Sequence, residues 1–277
     1  MNFLTQFIHR IDIAIWCLVL LFFVVFAGFN SGDIGMALLG SLGVVIIMTL
    51  IGVSIEVIID TLKNTRGLGT ILGFITNGPE LVVLVVGIAV ADPLFGASTP
   101  LGSNVFNPIM LIAAAIIMGK FLSVLKKNTF YGAVCVIFTV SLALGFYIIP
   151  EQAFPIWVVL GAVVTSALFF LRPEDVFEEE GEEEAPKWLL LPALTTLIMA
   201  GYLLDPVVEF SGQVANVPKG TIGFVALATL SSWPEFKSCL TLFRRNRVGA
   251  AGINIFVSNL TNIWLALIGV STYLIFF

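Results

Sequence analysis

Nine apolar runs, at about 13–29, 34–59, 68–91, 98–119, 128–149, 155–171, 188–204, 220–243 and 248–274, leave this chain one broad kind of structure. Each is close to the roughly 20 residues that a helix needs to cross the hydrocarbon core of a bilayer. Within that core only helices and closed barrels satisfy their own backbone. Runs of this length therefore predict an all-α polytopic membrane protein with about nine transmembrane helices. Composition agrees: 58 % of the residues are hydrophobic and 11 % charged, where soluble domains are about half apolar and about a quarter charged. The first run has the length of a signal peptide, but "FAGFN" is a poor cleavage site, so it counts as a span.

The basic residues test that count, because alternate loops of a membrane protein differ in Lys and Arg. Of the 13 present, 11 fall on one side, Lys219 alone on the other, and Lys237 within a span. This places the N-terminus in the cytoplasm and the C-terminus outside, in an integral membrane protein whose compactness suits a prokaryotic inner (plasma) membrane. The net charge of −5 traces to the run "EDVFEEEGEEE" at 174–184, read as a solvated cytoplasmic linker. It therefore points to no nucleic-acid partner. The single histidine, His9, precedes the first span, which excludes a histidine relay or haem ligation inside the membrane. Cys17, Cys135 and Cys239 sit in apolar runs without paired spacing and read as core residues.

Polar residues interrupt the greasy sequence in a repeating way. Thr76–Asn77–Gly78–Pro79–Glu80 lies 155 residues before Ser231–Ser232–Trp233–Pro234–Glu235, and at the same offset "SNVFN" (103–107) meets "SNLTN" (258–262). Each copy thus reads hydroxyl-x-x-Pro-Glu followed by Ser-Asn-x-x-Asn, with 27 residues from Glu to the last Asn. Glu80 falls in the third span and Glu235 in the eighth. An odd number of spans separates them, so the copies cross in opposite senses. Inverted-topology repeats with interrupted helices meeting at the midplane are the pattern of secondary transporters. The chain divides accordingly into an extra N-terminal helix (1–33), a first half (34–171) carrying repeat 1 (68–119), an acidic linker (172–187), and a second half (188–277) carrying repeat 2 (220–274).

Helical spacing places Thr76 beside Glu80, Ser103 beside Asn107, Ser231 beside Glu235 and Ser258 beside Asn262, since residues i and i+4 share a face. Pro79 and Pro234 donate no bond to the carbonyls of Ile75 and Leu230. Freed carbonyls are tolerated at membrane depth where they face protein or a polar cavity. Hydroxyls, carboxylates, carboxamides and bare carbonyls are hard oxygen ligands, suited to Ca²⁺ or Na⁺. The set holds no soft ligand for copper or zinc. Ser and Asn also glue membrane helices together, but eight polar residues at matched spacing with two prolines point to a transport site.

The two stretches resemble the alpha-repeats of the cation/Ca²⁺ exchanger superfamily, which includes Na⁺/Ca²⁺ exchangers. That pattern is G-T-S-x-P-E on one helix and G-S-N-x-x-N/D on the next. "ITNGPE" with "GSNVFN", and "LSSWPE" with "VSNLTN", match its Pro-Glu and Ser-Asn cores. The resemblance implies antiport by alternating access, Ca²⁺ (or a similar divalent cation) and Na⁺ competing for one central cluster, with no resident cofactor and no enzyme activity. The implied ligands are Thr76, Glu80, Ser103, Asn107, Ser231, Glu235, Ser258 and Asn262, with Asn77 and Ser232 where the family has a second hydroxyl.

The chain also departs from the pattern. Asn rather than Asp at 262 leaves a central formal charge of −2 from Glu80 and Glu235, enough for one Ca²⁺ or two Na⁺. Asn77 beside Gly78 leans toward the G-N-A-x-E motif of proton-coupled relatives, and a buried carboxyl can carry a proton, so H⁺ coupling is the alternative. Lys237, two residues past Glu235, reads either as a stem snorkelling to the cytoplasmic interface or as an internal cation. Glu56 is a further candidate, for ion access or for pairing with Lys63 or Arg66. The resemblance implies two closing spans after repeat 2, and a homodimer is one way to cover that flank. A non-transporting scaffold is the reading that the missing spans and Lys237 favour. An intramembrane hydrolase built on paired carboxylates leaves the symmetric Ser-Asn pairs unexplained.

Overall fold

The computed structural model describes residues 8–175, 184–218 and 228–276. Its helices are α1 (Arg10–Phe29), α2 (Ile34–Leu62), α3 (Leu68–Ile75), α4 (Gly78–Ala89), α5 (Pro93–Ile117), α6 (Phe121–Lys126), α7 (Thr129–Phe146) and α8 (Phe154–Phe170). After the linker come α9 (Leu190–Val214), α10 (Ala228–Ser231), α11 (Trp233–Arg244) and α12 (Val248–Phe276). Among the described residues eight spans are long and apolar enough to cross a membrane, with α3 and α4 forming one of them. The expected span at 220–243 lies partly outside the described residues, as do Lys219 and most of the acidic run. Two compact units are present, Met1–Ile58 with Ala185–Pro234, and Ile59–Glu184 with Glu235–Phe277.

In the first unit, α2 and α9 approach until there is no room for a side chain between them. A Cβ on Gly40 would lie 2.5 Å from the Ser211 hydroxyl, and one on Gly32 would lie 2.7 Å from the Ala215 backbone. Small residues at helix contacts matter in lipid, where association relies on close packing rather than on the hydrophobic effect. The α9 helix continues past the expected end at 204, through Pro206, to Val214. A proline costs one hydrogen bond and is tolerated inside a transmembrane helix. Trp233, buried at the start of α11, donates from its indole nitrogen to the Met48 carbonyl at 3.0 Å.

In the second unit α12 is the axis: 89 % of its most apolar stretch is buried, against 50 % for that of α5 and 28 % for that of Glu151–Phe170, the span that contains α8. Its contacts fix the directions of its neighbours. Gly69 lies against Ala250 and Gly73 against Asn254, while Asn77 reaches Ser258. The numbers rise together, so α3 runs parallel to α12. Ala97 lies against Gly269 and Asn107 against Asn259. Here one number falls as the other rises, so α5 runs antiparallel to α12. These two helices carry the Ser-Asn-x-x-Asn copies, and their opposed directions are the inverted repeat expected from the sequence. The hairpin of α7 and α8 closes the other flank of α12, with Phe146, Phe154 and Trp157 packed on Ala266, Leu267 and Val270. Cys135 and Cys239 are buried as expected, whereas Cys17 is exposed, because α1 turns that side outward.

The proline positions are complete breaks rather than local kinks. α3 stops at Ile75, Thr76 and Asn77 lie between helices, and α4 begins at Gly78 with Pro79 in its first turn. In the second copy α10 stops at Ser231, Ser232 forms the turn, and α11 begins at Trp233. Proline is tolerated in a first turn because no intrahelical acceptor waits for its missing N–H. Both glutamates consequently sit in the first turn of a new half-helix, where the positive end of the helix dipole favours negative charge.

Candidate functional site

Seven of the eight sequence-predicted ligands belong to the second unit: Thr76, Glu80, Ser103, Asn107, Glu235, Ser258 and Asn262. All seven are buried, with Glu80 3 % exposed and Glu235 0 % exposed. Each carboxylate is held by the serine of its own repeat. Ser103 donates to Glu80 Oε1 at 3.3 Å and Ser258 to Glu235 Oε1 at 3.1 Å. The same sequence spacing has therefore produced the same contact twice, between a half-helix after the break and the following helix.

The two copies are then tied to each other. Asn107 of α5 donates to the Ser258 hydroxyl at 3.0 Å and to Asn259 Oδ1 at 3.2 Å. Asn77, in the break between α3 and α4, accepts from Ser258 Oγ at 3.1 Å and donates to the carbonyls of Gly73 and Ser258. The Ser258 hydroxyl has one proton and faces both Asn77 Oδ1 and Glu235 Oε1, so it serves them one at a time. Thr76, fully buried in the same break, faces the Glu235 carboxyl. A further chain leads outward from the cluster: Asn259 donates to Thr139 on α7 at 3.2 Å and to the Asn104 carbonyl at 3.1 Å.

Asn259 and Thr139 escape the sequence reading, which takes the first and last residues of Ser-Asn-x-x-Asn and passes over the second. The signal is present in the repeat itself, since Asn104 and Asn259 match as closely as the serines do. Thr139 offers only a lone hydroxyl in a membrane helix, which is commonplace. Of the additional candidates, Asn77 joins the cluster and Ile75 ends the half-helix ahead of it, where carbonyls lack intrahelical donors. Leu230, Ser231, Ser232 and Glu56 belong to the first unit. There the Glu56 carboxylate lies 3.6 Å from the His9 imidazole, a neighbour that the sequence does not pair with it. Lys237 is 1 % exposed, so its ammonium is enclosed by protein rather than held at an open surface.

Chemically the cluster is two carboxylates surrounded by hydroxyls and carboxamides. No group of three His, Cys, Asp or Glu that could hold a metal occurs among the described residues. Glu235 Oε2, Thr76 Oγ1, Asn107 Oδ1 and both amide atoms of Asn262 are buried without a hydrogen-bond partner. Taking a carboxylate out of water costs several kcal/mol unless a counter-charge and further bonds offset it. The oxygen atoms present fit a hard cation, and a site of this type is too poor in charge and sulfur for a tight transition-metal centre.

Helix breaks at matched positions, opposed directions of α5 and α12 and a shared buried carboxylate cluster define a polytopic membrane protein built on inverted repeats. Residues 186–275 match the family of the sodium/calcium exchanger protein. Two solved structures of the sodium-calcium exchanger NCX_Mj, soaked with Na⁺ and Sr²⁺, have a similar fold. One aligns with a TM-score of 0.52 at 18 % identity over 86 % of this chain and 83 % of that one. The other has a TM-score of 0.53 at 17 % identity over 87 % and 83 %. No curated protein sequence matches the chain. The family match takes in Glu235, Ser258 and Asn262, and together with the shared fold it bears out the resemblance to the cation/Ca²⁺ exchanger superfamily.

Proposed function

We propose that this protein is a secondary-active antiporter that exchanges Ca²⁺, or a similar divalent cation, for Na⁺ by alternating access. The observation that carries this reading is the matched pair of buried contacts, Ser103 to Glu80 and Ser258 to Glu235, joined through Asn107. Two carboxylates supply a charge of −2, which one divalent cation or two Na⁺ neutralise. The same charge is the basis for exchange: either load satisfies the carboxylates. Thr76, Glu80, Ser103, Asn107, Glu235, Ser258 and Asn262 are the proposed ligands. The exchanger family match and the NCX_Mj fold support the assignment. The N-terminus is proposed to be cytoplasmic, on the distribution of basic residues.

Proteoliposomes provide the test. ⁴⁵Ca²⁺ uptake driven by an outward Na⁺ gradient is expected in the wild type and absent in Glu80→Gln. Uptake driven by a proton gradient alone would name H⁺ as the counter-ion. If no divalent cation moves under either gradient, the antiporter reading fails.

A further inference from the structure

We infer that Asn104 is an additional ligand of the cation site, contributing its carboxamide oxygen from α5 opposite Asn262 of α12, while its repeat mate Asn259 is a structural clamp. The inference rests on the exchange reading above and adds a residue that the motif does not assign. The two asparagines occupy the same place in the two copies, 155 residues apart. Their surroundings differ completely. The Asn259 amide is fully engaged: it donates to Asn104 O and Thr139 Oγ1 and accepts from Asn107. The Asn104 side chain is 0 % exposed, and neither its Oδ1 nor its Nδ2 has a hydrogen-bond partner.

The last asparagines of the two motifs divide in the same manner. Asn107 is tied to Ser258 and Asn259, whereas neither amide atom of its mate Asn262 has a partner, and it too is 0 % exposed. One asparagine of each mate pair is therefore bonded to one of the other pair, Asn107 to Asn259, and one from each is left over. Register puts the two left-over amides at one level of neighbouring helices. Along antiparallel α5 and α12, Ala97 meets Gly269 and Asn107 meets Asn259. Counting three residues back along α5 from Asn107 and three forward along α12 from Asn259 sets Asn104 level with Asn262.

Two fully buried, unbonded amides at one level are costly as packing, since a leucine of the same branched skeleton desolvates no polar group. They suit a hard cation, which takes neutral carboxamide oxygens alongside carboxylates. Such oxygens raise the coordination number without altering the charge that Glu80 and Glu235 supply. The cluster is thus lopsided: Asn259 is wholly a clamp, Asn107 braces the two repeats through its amide nitrogen and keeps its oxygen for the ion, and Asn104 and Asn262 have both amide atoms left over.

Ion-dependent thermal stability of the purified full chain in detergent tests this, titrating CaCl₂ or NaCl against choline chloride. Asn104→Leu is expected to leave the ion-free melting temperature unchanged or raised, and to weaken half-saturation by Ca²⁺ about tenfold, a loss of about 1.4 kcal/mol in binding. Asn104→Asp keeps the oxygen and adds charge, so it is expected to bind Ca²⁺ more tightly than wild type, with a smaller gain for the singly charged Na⁺. Asn259→Leu is expected to lower the ion-free melting temperature instead. Asn104 variants that fold and saturate at the wild-type Ca²⁺ concentration, while Glu80→Gln abolishes the ion-dependent shift, would overturn the role of Asn104 and leave the exchange reading intact. A wild type whose melting responds to neither ion would overturn both.

Discussion

Gly73→Ala is the substitution whose cost can be worked out most directly. The added methyl group would lie 2.7 Å from the Asn254 carbonyl oxygen, 2.7 Å from Val257 Cβ and 3.0 Å from the Ser258 nitrogen. Two of these are backbone atoms in the middle of α12, which no rotamer change can move. Ordinary contact begins near 3.4 Å, so α3 must shift by about 0.7 Å. Overpacking of this kind costs about 1–3 kcal/mol. Against it stands the gain of replacing glycine inside a helix, at most ~1 kcal/mol. The clash is the larger effect, and a net loss of up to about 2 kcal/mol follows even against the full propensity gain, at roughly 2–4 °C of melting temperature per kcal/mol at this chain size. The shift also reaches the cluster, because the Gly73 carbonyl holds Asn77, which in turn holds Ser258. Gly102→Ala is the control: it sits one residue from Ser103, yet its added methyl group would meet nothing within 4 Å, so helix propensity alone acts. Thermal unfolding in detergent and Na⁺-driven ⁴⁵Ca²⁺ flux, measured on both variants, decide the matter. Gly73→Ala should lose stability and most of its flux, and Gly102→Ala should keep both. Equal stability for the two would refute the close approach of α3 to α12.

Other substitutions separate residues that the motif treats as equals. Ser258→Ala removes a partner from Asn77, Asn107 and Glu235, and should destabilise by about 1–3 kcal/mol, the cost of leaving buried polar groups unbonded. Ser103→Ala removes one bond to Glu80 and should cost about 1 kcal/mol; chemical or thermal unfolding ranks the pair. Thr139→Val keeps the shape of the side chain but deprives Asn259 of an acceptor, so it should lower the melting temperature by an amount equivalent to about 1 kcal/mol while ion affinity stays within a few-fold of wild type. Glu235→Gln should abolish Na⁺-driven Ca²⁺ flux as completely as Glu80→Gln, because the two carboxylates together supply the neutralising charge; retained flux in either variant would break the symmetric reading.

Much of this architecture is legible in one dimension. A bilayer offers backbone groups no partners, so run length alone determines where helices must lie, and a charge or proline inside such a run is expensive enough to need a reason. The recurrence of Pro-Glu and Ser-Asn-x-x-Asn at one offset, in spans of opposite direction, is sufficient to predict the inverted repeat and the set of buried polar residues. The end of α9 is not legible in this way, because Asp205 and Pro206 look like a terminus although packing carries the helix through them.

What only the tertiary structure decided is which of the equivalent residues do which work. The sequence of each repeat treats Asn104 like Asn259 and Asn107 like Asn262. A pseudo-symmetric contact can nevertheless be made by one member of each pair and not by the other, because α7 brings Thr139 to Asn259, whereas Asn104 meets no such hydroxyl. Likewise α3 is an ordinary apolar half-helix in sequence, and only its approach to α12 at Gly69 and Gly73 places Asn77 on Ser258. Local spacing determines which side chains share a helix face; which amides are consumed as braces and which are left for an ion is settled by the register between helices far apart in the chain.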